Sequence, residues 1–221
     1  MGSIGIMASY QNLNAEKGFI WRIVHRLNMP WLMANGLSCA TSSRHSANWV
    51  TIGNRDLIDR RATKVVPIAP GGVLNDYVPF YFTPFSPMMY NIYTGRGGVP
   101  RVENSDILIL VSSIPRLEER NVQYVFTDRH AYTVTANFYN SREFLSEVDW
   151  EILQRRNFSR DPNDPEKVER YQAEALVPQF LPISALLGVV CYNDNVKSEV
   201  LEQARFANVQ LDIRAMPHWY F

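Results

Sequence analysis

Apolar residues fall into two periodicities that alternate from the middle of the chain onward. Runs at Ile107 to Val111, Val122 to Phe126, Gln172 to Val177, Leu187 to Tyr192 and Val209 to Ile213 predict β-strands. Helical spacing occurs at Arg142 to Arg155, where Phe144, Leu145, Val148, Ile152 and Leu153 make one apolar face, and again at Val196 to Ala207. A short helix is predicted to end at Gly36, with the glycine as its left-handed C-terminal cap. Arg55 to Ala62 reads as a polar helix lying over the surface. Strands in the middle and end of the chain, with helices between and around them, place it in the α+β class rather than among doubly wound sheets.

Two segments are less regular. Ile20 to Asn28 alternates at period two, so that as a strand it presents Trp21 and Ile23 on one face and Arg22, Val24 and Arg26 on the other. Asp76 to Met88 is crowded with aromatics and prolines. Pro79 restricts it to a sheet edge or a bulge, because proline has no N–H for the ladder. By alternation Phe80 and Phe82 belong to the core, and Tyr81 faces away from them.

No repeat, low-complexity tract or change of composition marks a linker. The expectation is therefore one domain over residues 11–221, behind a disordered tail over residues 1–10 that carries an expression scar before Met7. A chain of 221 residues buries about 70% of its unfolded surface and needs no staples. Cys39 and Cys191 are too few for a disulfide framework and lack metal-ligand spacing, which suits core fillers in a reducing cytoplasm and predicts no metal site. Neither an export signal nor an apolar run of about 18 residues is visible, so no membrane is expected. The formal net charge is zero, against bulk attraction to nucleic acid. Of the 22 basic residues, however, 18 are arginine, whose planar fork matches phosphates and stacks on bases. The glycine-rich loops around Pro70-Gly71-Gly72 and Gly95-Arg96-Gly97-Gly98 lack the strand-to-helix setting of a P-loop or a dinucleotide fingerprint.

The strongest chemical signal is Glu174, a lone carboxylate in the apolar run Ala173 to Val177. An unpaired buried charge costs several kcal/mol, so a fold keeps one mainly where it acts. The alternative is an exposed strand start with Glu174 paired to Arg170 or another arginine. Arg60 and Arg61 have a similar choice: solvated helix charges paired with Asp56 and Asp59, or a fork for an anionic ligand. His25 reads equally as a ligand or as a histidine satisfied by a backbone carbonyl. Arg155, Arg156, Phe158 and Arg160, followed by Asp161-Pro162 and Asn163-Asp164-Pro165, form a long loop just upstream of Glu174. That loop is either a solvated charge run or a surface for phosphates and one stacked base.

Four stretches occur together in a specific order: Asp76-Tyr77-Val78-Pro79-Phe80-Tyr81-Phe82, Phe85-Ser86-Pro87-Met88, Val125-Phe126-Thr127-Asp128-Arg129-His130-Ala131 and Gln172-Ala173-Glu174. The set resembles the DarT family of DNA ADP-ribosyltransferase toxins, and the resemblance runs from about Ile20 to Phe221. It implies an ADP-ribosyltransferase-like fold, a central split, mostly antiparallel sheet flanked by helices. The implied reaction transfers ADP-ribose from NAD, a co-substrate, to thymine in single-stranded DNA and releases nicotinamide. Alternatives are an acceptor in RNA or protein, simple NAD hydrolysis, or a non-enzymatic single-strand-binding module. The resemblance makes Glu174 the catalytic carboxylate, joined by Arg61, which closes the helix beginning after Gly53-Asn54 and would meet the NAD pyrophosphate. Arg22, Val24, Asn28, Gly53 and Tyr81 fall at donor-binding positions. Arg22 stands where the family carries a histidine, which leaves backbone contact as the shared element there. Tyr81, Phe85, Met88, Arg155, Arg156, Phe158 and Arg160 are the DNA-binding candidates. The implied partner is a DarG-type antitoxin whose macrodomain removes ADP-ribose, and the implied location is the cytoplasm.

Overall fold

Strand-forming runs gather into one eight-stranded sheet in the computed structural model, which describes residues 11–221; the tail expected over residues 1–10 lies outside the described residues. In chain order the strands are β1 (Phe19–His25), β2 (Leu37–Ser38), β3 (Tyr77–Tyr81), β4 (Ile107–Ser113), β5 (Val125–Thr127), β6 (Phe138–Tyr139), β7 (Glu174–Pro178), β8 (Phe180–Leu181), β9 (Gly188–Cys191) and β10 (Asp212–Ala215). The α-helices are α1 (Met29–Asn35), α2 (Arg55–Arg61), α3 (Pro87–Thr94), α4 (Ile114–Glu119), α5 (Trp150–Gln154), α6 (Lys167–Arg170) and α7 (Asp194–Phe206). The large sheet has the order β10-β9-β4-β1-β3-β7-β5-β6, and β2 pairs with β8 apart from it. Its neighbours are antiparallel except β9 and β10, whose parallel pairing needs the crossover that α7 supplies. The α+β expectation holds.

The sheet is open in its middle. β1 pairs with β4 along its whole length, from Phe19↔Ser113 to His25↔Ile107, but meets β3 only at Trp21↔Tyr81. On its other side β3 pairs with β7 continuously, from Tyr77↔Pro178 to Tyr81↔Glu174. Pro79 therefore sits in an interior strand, not at an edge or a bulge. Its carbonyl accepts a hydrogen bond from Arg22 Nη1 across the gap at 2.8 Å. The N and C=O of a strand residue point the same way, so the missing donor also faces that gap, where there is no ladder to break.

Other boundaries moved for local reasons. The helix expected over residues 142–155 is a 3-10 turn over Arg142–Glu147 followed by α5, broken at Val148, whose backbone is extended. Asp149 causes the break: its side chain caps α5 by accepting from Ile152 N and also holds Arg170. Leu145, Val148, Ile152 and Leu153 are buried as expected, but Phe144 is 42% exposed and lies outside that face. Strand β10 begins three residues later than the run from Val209 predicts, because Val209 N still bonds back to Ala204 O. Phe80 and Phe82 are fully buried, and Phe82 meets Phe126 and Trp150 edge-on at 6.0 and 5.4 Å.

Gly36 ends α1 as predicted, but with φ 70° and ψ −169° rather than in the left-handed helical well. A Cβ there would stand 2.6 Å from Leu181 O on β8, so strain and a backbone clash coincide. Gly36→Ala should cost more than about 1 kcal/mol. For a chain of this size that lowers the thermal midpoint by at least about 2 °C, measurable by calorimetry.

Candidate active site

The loop after α6 delivers Glu174 to the first position of β7. Gln172 N and Ala173 N close the preceding turn onto Glu169 O and Arg170 O, and Glu174 N then donates to Thr127 Oγ1 on β5 at 3.2 Å. The side chain, 2% exposed, takes a hydrogen bond from Ala131 N to Oε1 at 3.0 Å and one from Arg61 Nη1 to Oε2 at 2.8 Å. Burial alone would raise the Glu174 pKa, but Arg61, His130 and the Ala131 N–H outweigh it and hold the group below its ordinary value. Glu174 is thus ionised at neutral pH. Arg170 is engaged elsewhere, by Asp149 and Asp164, which excludes the exposed Glu174–Arg170 pair.

Arg61 reaches this carboxylate from the last turn of α2. Asn54 Oδ1 caps the helix by accepting from Leu57 N, and Asp56 occupies the first turn. The helix is not wholly a surface element, because Arg61 is only 8% exposed while Arg60 faces solvent. The solvated reading therefore fails for Arg61. Its Nη2 has no acceptor among the described residues, and neither has Arg22 Nε. Burial and the nearby Arg61 charge lower the Arg22 pKa to about 10. Two guanidiniums and one carboxylate thus face each other with donors to spare, a set that suits a further anion.

These groups line a cavity of about 410 Å³ in the opening between β1 and β3. Arg22, Val24, Asn28, Gly53, Arg61 and Tyr81 all border it, as do Met88 and Glu174. Tyr81 stands directly across from Glu174 in the ladder, and burial first, then the Glu174 charge, raises its phenol pKa, so it stays protonated at neutral pH. The Asn28 amide is committed to the loop wall: Nδ2 donates to Val50 O at 2.7 Å and Oδ1 accepts from Val50 N at 2.8 Å. Gly53 has φ 115°, and a Cβ there would lie 3.7 Å from Met88 Sδ. His25 accepts from Leu27 N, a local turn contact.

The other DNA candidates lie apart from this cavity. Phe85 is 2% exposed, and the Arg156 guanidinium covers its ring at 3.5 Å. Phe158 is half-buried, edge-on to Tyr90 and Phe221 and tilted against Tyr171. Arg155 is exposed and paired with Glu151, and Arg160 is exposed.

His130, Ala131 and Thr127 were absent from the predicted site. The backbone N–H of Ala131 carries no sequence signal. His130 does, lying just after the β5 run. Its Nδ1 accepts from Tyr132 N at 3.1 Å and lies 3.7 Å from Glu174 Oε1. Burial lowers its pKa in spite of the Glu174 charge, so it faces the carboxylate as a neutral ring. Among the described residues no group of three His, Cys, Asp or Glu could hold a metal ion.

Residues 21–221 match the family model described as ssDNA thymidine ADP-ribosyltransferase, DarT. A DNA ADP-ribosyl transferase of Escherichia coli O127:H6 (strain E2348/69 / EPEC) is 51% identical over 211 residues, covering 95% of this chain and 96% of the relative. The solved structure of Thermus sp. 2.9 DarT in complex with ADP-ribosylated ssDNA superposes with a TM-score of 0.85 at 33% identity, over 93% of this chain and 97% of that one. The same Thermus protein in complex with NAD+ gives 0.81 at 32% identity, over 93% and 98%.

Removing Arg61 leaves the Glu174 charge buried and unpaired, so Arg61→Ala should destabilise by about 3 kcal/mol in denaturant titrations. Arg60→Ala should stay within about 0.5 kcal/mol of the parent. The folded pKa of Glu174 lies below its unfolded value, so its contribution is complete above the ordinary carboxylate range and is lost as pH falls through the folded value. Glu174→Gln should therefore lose less stability than the parent between about pH 5 and pH 2.

Proposed function

Since this chain belongs to the DarT family of single-stranded DNA thymidine ADP-ribosyltransferases, we propose that it transfers ADP-ribose from NAD to thymine in single-stranded DNA, with Glu174 as the catalytic carboxylate. The observation that carries this reading is the buried, ionised Glu174 paired with Arg61 beside unsatisfied guanidinium donors in the open middle of the sheet. The spare Nη2 of Arg61 and Nε of Arg22 are the donors a pyrophosphate requires, so NAD fits as the co-substrate of this cavity.

In the proposed reaction the thymine ring nitrogen attacks the anomeric carbon of the nicotinamide ribose and nicotinamide leaves with the electrons of the glycosidic bond. The ring N–H proton passes to Glu174, and the same carboxylate faces the positive charge that develops on the ribose. While Arg61 holds it, Glu174 is a weak base. An incoming pyrophosphate competes for Arg61, and each step of that guanidinium away from Oε2 raises the proton affinity of the carboxylate. The donor therefore primes the base that accepts the acceptor's proton. Proton transfer of this kind is worth about 10²–10⁴ in rate. A single strand spares the cost of unpairing the target.

The Arg155 to Arg160 loop completes the proposal as the DNA grip, with Tyr81 and Met88 beside the target base, and residues 11–221 are taken as one catalytic domain. The modified base is the substrate that a DarG-type antitoxin with a macrodomain would restore, which makes this chain the toxin of such a pair. Both NAD and DNA are cytoplasmic, so we place the protein there; among the described residues no helix is long and apolar enough to cross a membrane.

Glu174→Ala should leave oligonucleotide binding intact and abolish adduct formation, read by mass spectrometry after incubation with NAD; activity within tenfold of the parent would overturn the assignment. Arg61→Ala should raise the KM for NAD and lower turnover far more than Arg60→Ala. Replacing Arg155, Arg156 and Arg160 by Gln should weaken single-strand binding and flatten its salt dependence by up to about 0.7 in log–log slope for each phosphate no longer neutralised. An unchanged slope would move the DNA grip to another surface.

A further inference from the structure

Two chain segments hold the Glu174 carboxylate, and both carry exposed groups that the donor cavity does not use. Arg61 binds Oε2, and it is closely followed by Lys64 and the exposed Val65. Ala131 N binds Oε1, and the exposed Tyr132 and Val134 follow it, the latter 94% exposed. The segments meet where Lys64 Nζ donates to the Thr133 carbonyl at 3.1 Å. They make a rim beside the carboxylate, and Lys64, Val65, Tyr132 and Val134 all lie outside the lining of the donor cavity.

Three aromatic side chains are exposed among the described residues: Tyr132, Phe144 and Phe206. Phe144 stacks on Tyr139 at 5.5 Å, and Phe206 ends α7, which packs against β10 at the far edge of the sheet. Tyr132 is the one that adjoins the carboxylate, and its ring and hydroxyl have no ring or hydrogen-bonding partner among the described residues. The Cα of Tyr132 is about 3.8 Å from that of Ala131, whose N lies 3.0 Å from Oε1, so it stands within about 8 Å of that oxygen. The charge of the rim is of one sign. Neither Arg60 to Pro70 nor Arg129 to Asn140 contains an acidic residue, Arg60 faces solvent, and Lys64 has no carboxylate partner among the described residues. An exposed ring beside a free cation is the combination that holds single strands, a π-face for a base and a charge for its phosphate.

We infer that this rim carries the acceptor strand, with the Tyr132 ring stacked on the base next to the target thymine, Val65 and Val134 as its apolar flanks and Lys64 meeting the adjoining phosphate. The target base gives its ring N–H to Glu174. Tyr132 stands one residue beyond the N–H that binds that carboxylate, which matches a base one step along the strand. The inference rests on the reading of single-stranded DNA as acceptor, and it adds a contact independent of the Arg155 to Arg160 loop.

The test is a scan of oligonucleotides with one target thymine, each carrying one abasic spacer at a flanking position, compared by adduct formation with NAD. For the parent, a position next to the target should stand out, with kcat/KM lower by about tenfold to a hundredfold for the loss of one stacked base. Tyr132→Ala should raise the KM for the intact strand by a similar factor, leave the KM for NAD unchanged and erase most of the penalty at that position. Tyr132→Phe, which keeps the π-face, should retain the penalty. Lys64→Gln should flatten the salt dependence of strand binding by about 0.7 in log–log slope. Val134→Asp, at a side chain too exposed to disturb the fold, should raise the KM for DNA by repelling the strand. A parent-like KM for DNA in both Tyr132→Ala and Val134→Asp would overturn the rim as the path of the strand, and a penalty that survives Tyr132→Ala would overturn the stacking. Labelling of RNA or protein from NAD with none in DNA would instead remove the reading on which the inference rests.

Discussion

Keeping Glu174 charged inside the protein is the constraint around which the rest is arranged. A carboxylate this buried would take up a proton unless charge and hydrogen bonds were brought to it, and they arrive from two separate parts of the chain. Arg61 comes from the end of α2, the Ala131 N–H from the loop after β5, and the anchor for the Glu174 backbone from Thr127. Each supplier is itself fixed, α2 by its Asn54 cap and the loop after β5 by the His130 N–H bond to Glu169 O. The fold itself therefore sets the position of the carboxylate.

The opening between β1 and β3 turns that buried charge into a usable one. A fully paired sheet would leave no room beside Tyr81 and Glu174. Here β1 meets β3 at one register position, and Pro79, which has no N–H to offer, occupies the open stretch. Arg22 spans the gap to the Pro79 carbonyl and keeps a second guanidinium near Arg61. Its like charge raises the affinity of the cavity for an anion, at a cost visible in its own depressed pKa.

The arginine-rich loop places its aromatic and cationic groups against other parts of the fold. Arg156 adopts a left-handed backbone, φ 52°, and lays its guanidinium on Phe85. Phe158 packs among Tyr90, Tyr171 and Phe221. Aromatics that composition suggests for stacking on bases thus stack on one another and on arginine.

Periodicity alone determined the α+β class, the strands β4, β5, β7, β9 and β10 and the long amphipathic α7, because those patterns record how much of each residue leaves water; the two-residue strands β6 and β8 are too short to show a period. The positions selected at Arg22, Val24, Asn28, Gly53, Arg61 and Tyr81 do come together, since all border one cavity with Glu174. Partnerships were not legible. Local sequence pairs Glu174 with Arg170 and Arg61 with Asp56 or Asp59, since neighbours in the chain are the only partners it displays. Only the tertiary structure, by bringing α2 against β7 across 113 positions of sequence, decided that Arg61 and Glu174 neutralise each other. Likewise, the resemblance sets Phe85 among the DNA-binding candidates, but the side chain of Arg156, far along the chain, covers its ring. Burial and periodicity are properties of a segment and are written in it. Charge pairing and the gap between β1 and β3 belong to segments brought together, and arise only when the sheet assembles.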